Sequence, residues 1–334
     1  MVDGYIPFAE AQASQATMLE RAISNVPPQI LDAQARGMLA GPGPIFVGIG
    51  ASYAASASAV WTLRSRGINS WRLNAGDHPL PYPASDHPII GVSQSGKSTE
   101  TLAVLRTIDA SLRLALVNVS PSPITGLVAS TITLGGLPDS YASTVGYTAT
   151  IVGLGMIAEA WDGGRIDGGW SALPDVFRAL EEHMHARANA LAVRIATASS
   201  ADYAGAGPSA GSAEVGSLLL REVARVPASG FATRQYLHGA MESAGKTAHI
   251  LLGDEREAAV AHTLARAGHD TILVTTLDMP EAPHLSVVRI PALPPSQRSV
   301  LEALVMQTLA VEAAKLKGLD PDSFVFHHND TKVA

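Results

Sequence analysis

Hydroxyl side chains are concentrated in one short stretch, residues 89–102, which has the sequence IIGVSQSGKSTETL. Within it, Gly91 is followed by four residues and then by Gly96, Lys97 and Ser98, which matches the nucleotide-binding P-loop pattern at every position. The stretch follows an apolar run and precedes a helical pattern. Unpaired N–H groups at a helix start attract phosphate, and the helix dipole adds to this attraction. The sequence therefore predicts a phosphate site, either for a nucleotide or for a single phosphate group.

Three features favour a single phosphate. P-loop domains usually carry the motif on their first strand, whereas a strand, turn and helix pattern over residues 44–67 precedes it here. The next strong strand pattern, residues 112–120, ends without the aspartate that would hold Mg²⁺. The turn can also hold a monophosphate through its own donors without a metal, since it contains the hydroxyls of Ser93, Ser95, Ser98, Thr99 and Thr101. A serine-rich helix N-cap with no ligand, and a P-loop hydrolase, remain the alternatives.

A second candidate for chemistry is Glu222. On a helix over residues 207–226 it falls on one stripe with Leu218, Leu219 and Val226. A carboxylate among apolar side chains is desolvated, which raises its pKa toward that of a general base working near neutral pH. The alternative is an ion pair with Arg225, three residues further on.

The composition limits the classes of function that the chain can serve. The 334 residues are 47% hydrophobic and 16% charged, which supplies enough apolar side chain for a sizeable core. The net charge is −7 and no basic run occurs, so we expect no nucleic-acid partner and no anionic membrane partner. Because cysteine is absent, disulfides, thiolate nucleophiles and cysteine-ligated metals are excluded.

Several patterns bear on location and on metals. The first residues, MVDGYIPFAEAQASQ, lack a basic segment followed by an apolar run, so we expect no secretory signal and a cytoplasmic location. The apolar stretch over 145–161 contains Thr148, Thr150 and Glu159, and we interpret it as a buried helix.

We expect no metal site and no cofactor: the two histidines in 183–185 would lie on opposite sides of a helix, and HHND at 327–330 fits an exposed polar tail.

Strand patterns alternate with helix patterns along most of the chain, which predicts parallel sheets covered by helices on both faces. Residues 8–36 look helical, with Pro27-Pro28 as a break. The predicted strands are residues 44–50, 70–74, 88–93, 112–120, 130–136, 249–254, 270–276 and 285–293. The predicted organisation is a helical segment over 1–36, a first α/β domain over 37–160, a helical connector over 161–199, a second α/β domain over 200–318 and a tail over 319–334.

The stretches GIGASYAAS, GVSQSGKSTETL and YASTVGYTATIVGL, in this order and spacing, resemble the sugar isomerase (SIS) domain. The likeness is to the isomerase half of glucosamine-6-phosphate synthase and to related glucosamine-6-phosphate deaminases and fructosamine-6-phosphate deglycases. In the second half, AGAGPS, SLLLREVARV and FATRQYLHGAMES resemble the family's Gly-x-Gly turn, glutamate helix and His-Gly loop. Glu222 and His238 are sixteen residues apart, as in the family, and the terminal NDTKVA resembles its lysine-bearing end.

The resemblance implies two SIS domains, each a five-stranded parallel sheet between helices in a three-layer αβα arrangement, and a homodimer with a shared active site for a sugar phosphate. It assigns the sugar-phosphate cradle to Ser93, Gln94, Ser95 and Ser98, and contacts with the sugar to Ser52 and Ser143, each of which could instead cap a helix. By the same resemblance, Glu222 shuttles a proton, His238 from the partner subunit takes part in ring opening, and Lys332 acts there as well.

The reaction implied is the interconversion of a 6-phosphorylated amino sugar and a ketose, of the type that converts glucosamine 6-phosphate to fructose 6-phosphate and ammonia. Release of an amine from a fructosamine 6-phosphate and a sugar-phosphate-sensing module without turnover are the alternatives. Synthesis from glutamine is not expected, because no cysteine is present to open glutamine. The chain departs from the synthase pattern where Val145, Leu219, Gln235, Ala240 and Lys97 replace two lysines, a glutamate, a proline and an acidic residue.

Overall fold

A computed structural model describes residues 4–326 and 330–333. The histidine-rich residues 327–329 of the proposed polar tail lie outside the described residues. The chain divides into a first unit, residues 4–174 with 325–326 and 330–333, and a second unit, residues 175–324. Each contains one five-stranded parallel sheet, so the predicted fold class of two helix-flanked parallel sheets is confirmed. The first unit includes the N-terminal helix and residues 161–174 of the expected connector.

The first unit has the strand order β2-β1-β3-β4-β5. Its strands are β1 (Ile45–Gly48), β2 (Trp71–Asn74), β3 (Ile89–Ser93), β4 (Arg113–Val117) and β5 (Ser130–Thr133), and all neighbours run parallel. Its helices are α1 (Phe8–Ala35), α2 (Ala51–Ser65), α3 (Thr99–Thr107) and α4 (Val145–Ala160). Because the chain returns past β1 to enter β3, the sheet has a topological switch point between these two strands, which is where open α/β sheets bind ligands.

The N-terminal helix α1 is continuous through Pro27 and Pro28, so the predicted break is wrong. Its buried residues include Val26 before the prolines and Ile30 after them, and the helix packs against α4. Burial of one face on both sides of the prolines stabilises the helical path despite their poor helix propensity.

Helix α4 is buried on nearly every side, as its apolar sequence predicts. Over residues 4–326 and 330–333, no helix combines the length and the apolar character that crossing a bilayer requires.

The second unit repeats the strand order of the first, as β7-β6-β8-β9-β10. Its strands are β6 (Ser200–Gly205), β7 (Ala228–Ala232), β8 (Thr247–Leu252), β9 (Thr271–Thr275) and β10 (Leu285–Arg289). Its helices are α5 (Leu173–Ala196), which begins two residues before the unit, α6 (Ser209–Ala224), α7 (Thr233–Leu237), α8 (Arg256–Arg266) and α9 (Pro295–Leu316). Strands β6 and β7 have no counterpart among the predicted strands, since their sequences, SADYAG and ASGFA, lack an apolar run.

An ion-pair network lies at the switch point of the second sheet, between β6 and β8. Arg298 near the start of α9 contacts Asp254 after β8 and donates its Nε to Glu302 at 2.8 Å. Ser209 at the start of α6 donates to the same Glu302 oxygen at 2.7 Å. Glu302 is fully buried, so its charge depends on Arg298 for compensation.

Candidate functional site

The hydroxyl-rich turn between β3 and α3 is closed by its own hydrogen bonds. Ser93, at the buried end of β3, has its Oγ 2.9 Å from that of Ser98 and accepts from the Gly96 N–H at 3.1 Å. The Lys97 N–H donates to Ser95 Oγ at 3.3 Å. The Ser98 hydroxyl pairs with Ser93 and makes no side-chain cap to α3, although Ser98 occupies the N-cap position. The turn therefore departs from the simple serine cap that was the alternative to a ligand site.

Gly96 is required in this turn for two separate reasons. Its φ is +66°, a left-handed conformation that side chains other than glycine rarely adopt. A Cβ on Gly96 would also lie 2.1 Å from Ser122 Oγ and 2.5 Å from Ser122 Cβ. Ser122, in the loop that follows β4, therefore approaches the turn so closely that only a hydrogen fits at the Cα of Gly96.

Three of the predicted substrate-binding side chains line one cavity of about 50 Å³ in the first unit: Ser52 and Ser143, predicted to contact the sugar, and Gln94 of the predicted cradle. Ser52 lies in the first turn of α2, just after β1, and Gln94 follows β3. The Gln94 carbonyl accepts from the N–H groups of Asn118 and Val119 at 3.0 and 3.2 Å, which fixes its backbone. The cavity is thus at the switch point between β1 and β3, beside the hydroxyl-rich turn.

Ser143 is held by Asp139, a residue that the sequence reasoning missed. Its hydroxyl donates to Asp139 Oδ2 at 2.7 Å, and Asp139 Oδ1 accepts the Thr144 N–H at 2.9 Å. Burial raises the pKa of the Asp139 carboxyl, and the hydrogen bond from Ser143 opposes that rise. The Asp139 carboxylate, rather than Ser143, therefore caps the start of α4. The lone pairs of Ser143 Oγ stay available to a ligand in the cavity. A carboxylate four residues before a Ser-Thr pair at a helix start was the available signal.

The C-terminal segment, residues 330–333, is paired with the same turn. The Thr99 N–H donates to the Thr331 carbonyl at 3.2 Å, and the Val333 N–H donates to the Lys97 carbonyl at 3.0 Å. Between them, Lys332 forms an antiparallel bridge with Ser98. The structure thus brings the backbone of Lys332 beside one of the predicted cradle residues.

Glu222 lies near the end of α6 and is half-buried. Burial raises the pKa of its carboxyl to about 7, in the direction predicted. The alternative ion pair is not formed, because Arg225 donates instead to the Ser323 carbonyl at 2.8 Å. Among residues 4–326 and 330–333, no hydrogen bond or ion pair is formed by the Glu222 carboxylate.

Two of the three residues predicted to share a helical stripe with Glu222 do not lie on it. Helix α6 ends at Ala224, so Val226 lies beyond it, and Leu219 faces the core with 2% exposure. Glu222 instead shares a half-exposed stripe with Glu214 and Leu218, at spacings of four residues. The desolvated carboxylate is therefore at the edge of the core rather than within it.

His238 is exposed and directly follows the short helix α7. That helix is anchored by Tyr236, whose hydroxyl lies 2.9 Å from Nδ1 of the fully buried His249. Burial, together with the nearby His269, lowers the pKa of His249 to about 4. Within the described parts of the chain, no hydrogen bond joins His238 to Glu222. That these two residues act with those of the first unit on one substrate stays a prediction.

Asn118 occupies the position after β4 at which a nucleotide hydrolase of the P-loop type would carry its Mg²⁺-binding aspartate. It is buried and bonds the Leu137 backbone twice, donating from Nδ2 at 2.7 Å and accepting at Oδ1 at 2.8 Å. Its side chain is therefore committed to holding the loop that leads to Asp139. In the described ranges, three metal-ligating side chains come together nowhere.

No protein-family model matches the chain. Among curated proteins it is similar to the isomerizing glutamine–fructose-6-phosphate aminotransferase of Chlorobaculum tepidum, with 26% identity over 263 residues, covering 72% of this chain and 42% of that protein. The chain thus spans less than half the length of this relative.

Among solved structures, the chain is similar to the C-terminal domain of glucosamine-fructose-6-phosphate aminotransferase from Francisella tularensis, with a TM-score of 0.82 and 18% identity over 96% of this chain and 99% of that one. It is also similar to glucosamine-6-phosphate deaminase from Thermotoga maritima, with a TM-score of 0.75 and 15% identity over 98% and 99% of the two chains. At these identities the likeness establishes a shared fold.

Proposed function

We propose that this protein is a phosphosugar enzyme of the isomerase and deaminase type, which converts glucosamine 6-phosphate and water to fructose 6-phosphate and ammonia. The observation that carries the proposal is the cavity lined by Ser52, Gln94 and Ser143 beside a turn rich in hydroxyls, at the switch point of the first sheet. The names of the similar proteins, an aminotransferase and a deaminase of sugar phosphates, support the same substrate class.

The phosphate is proposed to bind at the turn between β3 and α3. Ser95 and the Ser93–Ser98 pair supply hydroxyl donors, one proton of that pair being used between its own two oxygens, and the start of α3 supplies positive dipole charge. In a chain of net charge −7, such a local set of donors is what makes anion binding feasible. Binding energy from this remote phosphate then orients the reacting carbons toward Ser52 and Ser143.

Catalysis is proposed to proceed by proton transfers alone. To open the ring, one group removes the proton of the anomeric hydroxyl and another protonates the ring oxygen, and His238 and Lys332 are assigned to this pair. Glu222 then removes the proton from C2 and returns it to C1, which leaves an imine at C2. Water hydrolyses that imine and releases ammonia. A carboxyl with a pKa of about 7 is suited to take and return a proton near neutral pH.

The direct test is turnover on a panel of 6-phosphosugars and fructosamine 6-phosphates, measured as ketose and ammonia or amine release. Glu222→Gln should keep phosphosugar binding in calorimetry and lose at least about 100-fold in kcat, since the general base is removed. Glu214→Gln is the matched control, because Glu214 shares the same half-exposed stripe of α6. Normal turnover by Glu222→Gln would refute the assignment of Glu222 as the general base. Binding without turnover by the wild-type protein would favour a sensing module.

The proposal includes a homodimer in which His238 of the partner subunit completes each site. Glu222→Gln and His238→Ala subunits, each inactive alone, should regain activity when mixed and allowed to exchange. After random exchange, half of the dimers contain one subunit of each variant, and each such dimer has one intact site of two. The mixture should therefore show about one quarter of the wild-type activity. Mixed samples that stay inactive although exchange is demonstrated would refute the shared site.

A further inference from the structure

The ammonium group of Lys332 is held by two tyrosines of the first unit. Its Nζ donates to the Tyr5 hydroxyl at 2.8 Å. It also lies 5.9 Å from the centre of the Tyr141 ring, within the range of cation–π attraction. Two separate contacts, one from each tyrosine, therefore act on one cation at the end of a side chain that is otherwise exposed.

Both tyrosines are themselves fixed. Their rings meet edge to face, with centroids 5.3 Å apart and planes at 88°. The residue after Tyr5, Ile6, donates its N–H to the Asp139 carbonyl at 3.0 Å. Asp139 in turn holds Ser143 through its carboxylate. The tyrosine pair is thus connected to the same loop that presents Ser143 to the cavity.

The backbone of the C-terminal segment does not by itself determine where the Lys332 ammonium lies. Pairing with Lys97 and Thr99 fixes the main chain, but a lysine side chain has four rotatable bonds and loses conformational entropy when it is held in one arrangement. Contacts at the far end of the side chain are what select one arrangement from many. Tyr5 and Tyr141 supply those contacts.

We propose that Tyr5 and Tyr141 are positioning residues that hold the Lys332 ammonium in place for ring opening. This inference rests on the proposed function, in which Lys332 contacts the substrate. The tyrosines act through the lysine: the Tyr5 hydroxyl accepts a hydrogen bond from its ammonium, and the Tyr141 ring stabilises its charge. The remaining N–H bonds of the ammonium are left to face the sugar.

The first test does not depend on turnover. Competitive acetylation of the intact protein, followed by mass spectrometry, measures the reactivity of the Lys332 amine. Tyr5→Leu and Tyr141→Leu should raise its rate by at least about threefold, because the contacts that shield and orient the amine are lost. Tyr82→Leu is the matched control, since Tyr82 is also half-buried in the first unit but contacts His78. Equal rates in wild-type protein and Tyr5→Leu would overturn the inference.

The second test is kinetic. Tyr5→Leu should lower kcat by about tenfold with little change in KM, whereas Tyr5→Phe loses the hydrogen bond but keeps the ring packed on Tyr141 and should lose less. The double variant Tyr5→Leu/Lys332→Ala should be no slower than Lys332→Ala alone, since the tyrosine acts only through the lysine. Full kcat in Tyr5→Leu, or additive losses in the double variant, would overturn the inference. If the wild-type protein turns over no member of the panel, the proposed function fails, and the acetylation rates still decide whether Tyr5 holds Lys332.

Discussion

Replacement of Gly96 by alanine is expected to destabilise the first unit by an amount that can be worked out from the geometry of the turn. An alanine with φ near +66° costs about 1–2 kcal/mol relative to glycine. Its Cβ would lie 2.1 Å from Ser122 Oγ, and relieving such a contact in a packed site costs about a further 1–3 kcal/mol. The alanine also restricts the unfolded chain, which offsets roughly 0.4–1 kcal/mol. The expected net loss of unfolding free energy is about 1–5 kcal/mol, with a midpoint near 3 kcal/mol.

The chain contains a control that separates the two effects. Gly136 has φ +67°, nearly the value of Gly96, but a Cβ there would meet nothing within 4 Å. Gly136→Ala should therefore lose only about 1 kcal/mol or less, because it carries the backbone strain without the collision. Removing the colliding side chain, in Gly96→Ala/Ser122→Gly, should recover the difference between the two single variants.

The assay is thermal unfolding followed by calorimetry, in which 1 kcal/mol corresponds to about 2–4 °C for domains of this size. The midpoint of Gly96→Ala should lie clearly below that of Gly136→Ala. Equal midpoints for the two variants would refute the argument that Ser122 crowds the turn. A double variant no more stable than Gly96→Ala would assign the loss to the backbone alone.

Further predictions concern the buried charges. Because burial raises the pKa of Glu222 from 4.5 to about 7, the folded state binds a proton more tightly than the unfolded chain, so this residue lowers stability as pH rises from about 4.5 to 7. Glu222→Gln should therefore be more stable than the wild-type protein at pH 8, by up to about 3 kcal/mol, and equal to it at pH 4; a constant difference across denaturant titrations at both values would contradict this. In turnover assays, the wild-type kcat/KM should rise with pH through about 7, as the Glu222 carboxylate forms; a profile flat from pH 6 to 8 would contradict the base assignment. Arg298→Ala should lower the unfolding free energy by about 3–5 kcal/mol, because it leaves the Glu302 carboxylate buried without its cation, and urea unfolding measures this; a loss below 1 kcal/mol would show that the network is dispensable.

The parts of the fold that were predictable from sequence are those with a strong local pattern. Strands β1 and β3 are short apolar runs buried on both faces, as expected of central strands in a parallel sheet. Strands β6 and β7 were missed because alanine, glycine and serine carry little pattern, and their pairing with neighbours is what makes them strands. The break expected at Pro27-Pro28 was wrong because tertiary burial outweighs local propensity there.

The candidate site was also predictable only in part, where the sequence carries a strong local pattern. The hydroxyl-rich turn was identifiable because its residues are consecutive, and the carboxyl ends of parallel strands explain why Ser52 and Gln94 share a cavity. Asp139, Tyr5 and Tyr141 were missed, since their relevance depends on contacts between residues far apart in sequence. The roles of Glu222 and His238 stay predictions, because a half-buried carboxylate and an exposed imidazole do not by themselves specify a reaction.

The ion-pair network of the second unit shows that two units with the same strand order differ in the charges at equivalent bends. At the bend after β3, side-chain hydroxyls and a helix start leave positive dipole charge available to an external anion. At the equivalent bend after β8, the positive charge of Arg298 is already paired with the carboxylates of Asp254 and Glu302. That positive charge is therefore not available to attract an external anion. Two units with the same strand order therefore need not bind two phosphates. We expect one bound phosphate per chain, and we expect the bend after β8 to contribute to folding rather than to ligand binding.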